Sequence, residues 1–435
     1  MLVTSKIPFA EPVAASPLEP APRLTLCTPV TQPRNTPSLM IAILCIVLVA
    51  LTLRPAIVSI GPLLPGMIQA FGLSHTQASL LTAIPTLLMG LMALPTPWLA
   101  RRFGRDRVIL VALAVLLAAT GLRAFAGSIG TLFLTTVGVG AGIAVAGALL
   151  AGFVKASYPK QAALLMSIYA TALALGSTVA AAITGPVALA TGSWRLGESV
   201  WVLPVVIAIA AWFYIERQGL TKGQGGVSPH RYAMPVRNPT AWLIALFFAS
   251  NNVVFYAYIS WVAPMYVEYG RTPTVAGLIL GSFTLAFLIS NPVFGMLSRN
   301  EDRRLALAVS SLIALIGTSA IAIAPNAVPF IAVPIVAFGA GGAFTLGMTL
   351  PLDNTRNADE ANAWNAFVLL VSYIVAAAGP LLMGYLRDVT GGFEVSQWLM
   401  VGVSALMLAV TPFLQPYHLK KGATGRVGIS AGYSS

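Results

Sequence analysis

Residues 39–65 read LMIAILCIVLVALTLRPAIVSIGPLLP, and Arg54 is the one charge among them. About 20 consecutive apolar residues are enough for a helix to cross the hydrocarbon layer of a bilayer. This stretch therefore sets the solvent in which the chain folds. The rest of the sequence agrees: of 435 residues, 57% are hydrophobic and only 9% charged, and the mean hydropathy is +0.84. A soluble domain carries about a quarter charged residues, so a water-soluble globule is excluded. At roughly 30 residues per crossing and its connection, residues 39–415 supply about twelve helices. The 30 prolines and 39 glycines fit this setting, because neighbouring helices can re-satisfy a backbone that either residue breaks. The fold class expected is an all-α polytopic membrane protein.

The apolar runs fall at about 39–70, 76–99, 108–126, 130–153, 162–186 and 198–215, then at about 241–266, 275–297, 305–324, 328–351, 362–385 and 396–415. The expected organisation is a Pro-rich, disordered cytoplasmic tail (1–38), a six-helix bundle (39–215), a basic linker (216–239), a second bundle (240–415) and a cytoplasmic tail (416–435). The first tail, with eight prolines among small and polar residues, cannot bury enough apolar surface to offset its ordering entropy. Lys and Arg in the connections orient the chain. With the N-terminus cytoplasmic, twenty lie on that side, Arg101, Arg102, Arg105, Arg107, Arg303 and Arg304 among them, against Arg123, Arg195, Arg271 and Arg387 on the other. Both termini then face the cytoplasm, and the net charge of +12 serves topology and anionic lipid rather than nucleic acid.

The halves repeat weakly. Pro95 corresponds to Pro292, Asp106-Arg107 to Asp302-Arg303, Gly142 and Gly147 to Gly342 and Gly347, and Gly185-Pro186 to Gly379-Pro380. Two bundles in parallel relation around a central pathway are the architecture of a transporter.

Arg54 lies about 15 residues into its run, roughly 22 Å along a helix. A charge there costs about 2.5–3.5 kcal/mol on insertion scales. No carboxylate is found at its depth: Glu198, Glu268, Asp388 and the other acidic residues sit in tails, connections or helix ends. Two roles are open to Arg54. It can bind backbone carbonyls freed by Pro55, or it can receive a small anion, for which the planar guanidinium fork is suited. Asn252 and Tyr256, four apart, share a face of the seventh helix; Asn291, Tyr169, Asn365 and Tyr373 are further polar residues within apolar runs. Each serves as interhelical glue or as cavity lining.

The three histidines (His75, His230, His418) lie outside the runs, so no proton relay is evident and a uniporter or exchanger is favoured. Cys27 and Cys45 have neither disulfide-framework nor metal spacing. With no Walker A sequence, nucleophile elbow or zinc motif, neither an enzyme nor a resident metal or cofactor is expected.

The connection PWLARRFGRDR (97–107) resembles the signature of the major facilitator superfamily. Arg102, Gly104 and Arg105 match it, whereas Pro97, Arg101 and Asp106 stand at its first Gly, its Asp and its last basic position. Asp302 and Arg303 belong to a looser counterpart, SRNEDRR (298–304). The segments LRPAIVSIGPLLP (53–65), LLTAIP (80–85), WVAPMYVEYG (261–270), NEDRR (300–304) and GAGGAF (339–344) resemble the cyanate porter branch, which also contains nitroimidazole exporters. The resemblance implies the major facilitator fold, alternating access and a gating role for the matching loop residues. A cyanate-like anion would be its substrate, held by Arg54 with Asn252, Tyr256, Asn365 and Tyr169. Export of nitroimidazole-like compounds is the alternative substrate reading, and a non-transporting membrane sensor is the alternative of another class. A monomer in the inner membrane is expected.

Overall fold

The computed structural model describes residues 39–158, 161–217, 234–297, 302–355 and 358–415. The Pro-rich segment 1–38, the segment 416–435 and most of the connection 216–239 lie outside them. Every regular element among the described residues is helical. Among the described residues eleven helices are long and apolar enough to cross a membrane, and a bent pair, taken as one span, makes twelve. The first span is Ile43–Phe71; the second is His75–Leu91 followed, after a 65° bend, by Thr96–Phe103. Then come Arg105–Ala124, Ile129–Val154, Leu164–Thr191 and Trp194–Arg217 as spans three to six. Pro239–Glu268, Pro273–Leu297, Arg304–Ile323, Pro329–Asp353, Ala363–Thr390 and Glu394–Phe413 are spans seven to twelve.

Ordinary helix signals set these boundaries. Ser74 with Gln77, and Ser128 with Thr131, close capping boxes at the second and fourth spans. Asn238 caps the seventh, where Pro239 follows at the first helical turn. The helices ending at Thr191 and Thr390 stop on the left-handed glycines Gly192 and Gly391. Inside the first span the helix breaks at Arg54 and again at Ser59, so Leu39–Leu53, Pro55–Val58 and Ile60–Phe71 are separate helical pieces.

One buried cluster draws on the first six spans alone (Ile46 to Trp212) and another on the last six (Ala241 to Leu414). A third runs across both halves, with Leu63 and Leu81 meeting residues of the seventh, eighth and eleventh spans. Glycines set the close crossings. A Cβ on Gly176 would fall 2.6 Å from the Leu51 carbonyl oxygen, and one on Gly379 would fall 2.5 Å from that of Val253. These are equivalent contacts of the fifth span on the first and the eleventh on the seventh. Gly379 is thus the counterpart of Gly176 rather than Gly185, which instead lies against Pro273 of the other half. Likewise Gly142 packs on Ala112, and it is Gly339, packed on Ala314, that mirrors it rather than Gly342, which meets the Phe294 ring. A repeat matched by offset slips wherever connections differ in length; contacts do not.

The halves are fastened together toward one face of the membrane. Asp388, from the eleventh span, accepts hydrogen bonds from the backbone N–H of His75 (2.9 Å) and of Thr76 (2.8 Å), capping the second span from the opposite half. It also accepts from Thr76 Oγ1 (2.6 Å) and engages His75 Nδ1 (2.7 Å). Deeper, Ser79 Oγ donates to the Pro380 carbonyl and Ser260 Oγ to Thr82 Oγ1. Between described residues, the side-chain hydrogen bonds joining the halves run from this face to Arg54, Tyr256 and Met89, and stop there. Asp388→Ala removes four of these contacts at once. The expected result is a population shift toward opening of this face, seen as faster maleimide labelling of a cysteine placed at Thr76 than in a protein retaining Asp388.

Candidate functional site

The break in the first span positions Arg54. Pro55 cannot donate a backbone hydrogen bond, and Arg54 itself is the residue before the short piece Pro55–Val58, its carbonyl accepting from Ile57 and Val58 N–H at 3.1 Å. Its side chain is half-buried. Nη1 donates to Tyr256 Oη at 3.1 Å, and Tyr256 Oη donates on to Met89 Sδ at 3.6 Å. The guanidinium carbon lies 5.8 Å from the Phe255 ring centroid and 5.9 Å from that of Tyr256, at the outer limit of a cation–π contact. The Tyr373 ring is 6.1 Å from that of Tyr256. Among the described residues no carboxylate pairs with Arg54.

Arg54 forms the wall of a cavity of about 70 Å³ between the halves. Ala174 and Ser177 of the fifth span, Phe255 of the seventh, Thr284, Phe287 and Asn291 of the eighth and Phe344 of the tenth share that wall. Asn291 accepts a hydrogen bond from Thr345 on its amide oxygen (2.9 Å), which leaves its NH2 for a ligand. The lining phenylalanines touch one another: the Phe255 and Phe287 centroids are 4.6 Å apart, those of Phe287 and Phe344 5.7 Å.

Of the expected ligands, the structure joins Arg54 to Tyr256 by a hydrogen bond, and Arg54 lines the cavity whereas Tyr256 and Tyr169 do not. Asn252 is only 2% exposed and its Nδ2 has no hydrogen-bond partner; neither it nor Asn365 lines the cavity. Asn252 shares its helix face with Tyr256, and both are buried. The phenylalanines escaped the sequence reading, since apolar residues in apolar helices give no signal of where a cavity opens.

The broken backbone of the first span is held by a different arginine. Arg123 Nη1 donates to the Ala56 carbonyl (3.3 Å) and to Glu198 Oε1 (2.9 Å), while Nη2 donates to Thr136 and Ser59 Oγ donates to Glu198 Oε2. Both charged side chains are 0% exposed. This corrects two expectations: Arg123 is not a charge in a connection, and Glu198 is a buried carboxylate. Each lies near a helix end in sequence, but the surrounding spans cover it and the pair closes on the broken first span.

Between described residues, the loop residues are held by contacts in their own halves. Arg105 lies over the Phe153 ring at 4.7 Å, and Gly104 adopts φ +87°, a left-handed turn between the second and third spans. Asp302 bonds Arg304 (2.7 Å) and Arg303 bonds Asp353 (2.7 Å). Among the described residues no group of His, Cys, Asp and Glu has metal-site geometry.

The family model of the Major Facilitator Superfamily matches residues 39–270 and 254–434. The chain belongs to the major facilitator superfamily. Like other members of the superfamily it is a multi-pass membrane transporter and not an enzyme. This superfamily member is similar to the cyanate transport protein CynX of Escherichia coli (strain K12), at 28% identity over 380 residues, covering 86% of this chain and 98% of that one. It is also similar to the 2-nitroimidazole transporter of Escherichia coli (strain K12), at 28% identity over 376 residues, 85% of this chain and 93% of that one. Among solved structures, a bacterial homologue of the human lysosomal transporter Spinster superposes with a TM-score of 0.70 at 19% identity, covering 86% of this chain and 95% of that one.

Proposed function

We propose that this transporter moves a small monoanion of the cyanate class by alternating access, with Arg54 as the anion-binding residue and Tyr256 holding it in place. The observation that carries the proposal is the half-buried Arg54 guanidinium, without a carboxylate partner among the described residues, on the wall of a cavity between the halves. Burial without a counter-ion is costly, and an arriving anion removes that cost. The size admits it: at roughly 10–15 Å³ per water measured the same way, about 70 Å³ has room for a triatomic ion together with water. The likeness to a cyanate transport protein points the same way. The likeness to a 2-nitroimidazole transporter, with the phenylalanine-rich wall, favours a flat nitro compound as the second reading. We place the arginine-rich connections and both termini in the cytoplasm of a cell with this monomer in its plasma (inner) membrane. The face fastened by Asp388 is then the outer one.

Counterflow of labelled cyanate into proteoliposomes tests the proposal, with unlabelled cyanate, nitrate and 2-nitroimidazole as competitors. Cyanate counterflow competed by cyanate supports it. Counterflow driven by 2-nitroimidazole alone moves the assignment to the second reading. Tyr256→Phe removes the hydrogen-bond acceptor of Arg54 and keeps the ring. Loss of one hydrogen bond of about 1 kcal/mol is expected to raise KM roughly fivefold with little change in the maximal rate.

A further inference from the structure

Away from the central cavity, the 65° bend in the second span swings Thr96–Phe103 off the bundle and opens a groove of about 590 Å³ against the third and fourth spans. Its walls are apolar, formed by Leu99, Val108, Val111, Val115 and Val145. Arg102 and Arg107 stand at one end of it. Both are exposed, and among the described residues neither pairs with a carboxylate; the adjacent Asp106 is engaged by Arg105 at 3.5 Å. Trp98, half-exposed on the same helical piece, packs edge-on against Phe103. An exposed Trp beside arginines on a short amphipathic helix marks the level of lipid headgroups.

From this arrangement we propose that the groove is a specific site for one anionic phospholipid, its acyl chain lying along the valines and its phosphate between Arg102 and Arg107. Charge chooses this occupant. A zwitterionic lipid brings its own cation beside the two arginines and no net negative charge to offset them. The chain's own residues 1–38, with Lys6, Arg23 and Arg34 against Glu11 and Glu19, are net basic and do not complement them. Guanidinium pairs bind phosphate in bidentate fashion, and the groove volume lies in the range of ordinary ligand pockets, about 300–1,000 Å³.

The test uses the full-length chain in mild detergent, titrated with phosphatidylglycerol or phosphatidylcholine and read by native mass spectrometry and by melting temperature. Phosphatidylglycerol is expected to occupy one tight site and raise the melting temperature, with phosphatidylcholine at least tenfold weaker. R102Q/R107Q is expected to lose at least tenfold in phosphatidylglycerol affinity. V111W, which keeps both arginines and obstructs the apolar slot, should lose a comparable factor. Equal binding of the two lipids overturns the proposal. So does undiminished binding by V111W, which would reveal headgroup attraction without a groove. Equal competition by glycerol 3-phosphate, or a co-purifying protein that phosphatidylglycerol does not displace, overturns it as well. Should R102Q/R107Q fail to fold, the lipid preference of the unaltered chain and V111W decide the matter.

Discussion

Arg54→Ala is expected to abolish anion counterflow while leaving the protein in the membrane at normal abundance. Two charge-assisted hydrogen bonds from one guanidinium to an anion contribute about 1.5–3 kcal/mol each. Their loss lowers affinity by roughly 10²–10⁴-fold, at about 1.4 kcal/mol per factor of ten. Folding should survive, because the side chain makes one hydrogen bond, to Tyr256, and no ion pair among the described residues. Alanine also removes the cost of a charge at depth. Arg54→Lys keeps the charge but not the fork and should retain weakened transport, with KM raised about tenfold on the same scale. The measurement is counterflow per molecule of protein in proteoliposomes; transport at the unaltered rate by Arg54→Ala would remove the anion site from the proposal.

The second large effect belongs to Arg123 and Glu198. Glu198→Ala leaves a guanidinium at 0% exposure with no counter-charge, and Arg123→Ala leaves a carboxylate in the same position. Breaking a buried ion pair from one side costs about 3–5 kcal/mol, so either variant should melt far below the unaltered protein and accumulate poorly. Replacing both charges, as in Arg123→Met with Glu198→Leu, removes the uncompensated charge and should recover most of the melting temperature. Transport should not recover with it, since Ser59 and the Ala56 carbonyl then lose their partners in the break that aims Arg54. Thermal melting and counterflow of the same three preparations separate stability from positioning. A double variant that melts no higher than the singles would contradict the ion-pair account.

How far the residues could be read in advance depended on the kind of signal each one gives. The helices and their setting follow from the length and apolarity of runs such as 39–53, and the break follows from Pro55 beside Arg54, because these are local properties of the chain. Tyr256 was legible through its spacing on a helix. Both Asn252 and Tyr256 show the limit of that argument: spacing names a face, whereas the neighbours decide whether the face opens onto space, and both residues are buried. Glu198 and Arg123, 75 residues apart, look like helix ends in sequence, and nothing local reports that adjacent spans seal over them. The glycine pairs of the repeat were mismatched for a related reason. Counting pairs Gly379 with Gly185 and Gly342 with Gly142, although what makes two such glycines equivalent is the backbone each one touches.

That corrected equivalence has a consequence for the history of the site. The displacement that carries Leu51 onto Val253 in the matched crossings is 202 residues, and Arg54 and Tyr256 are separated by 202 as well. The hydrogen bond between them thus joins a position to its own duplicate across the pseudo-twofold axis. Two arginines facing each other there would repel, and two tyrosines would offer an anion no charge. On the proposed role of Arg54, the site depends on the two halves differing at this pair of positions, so the break in symmetry is what makes room for an anion.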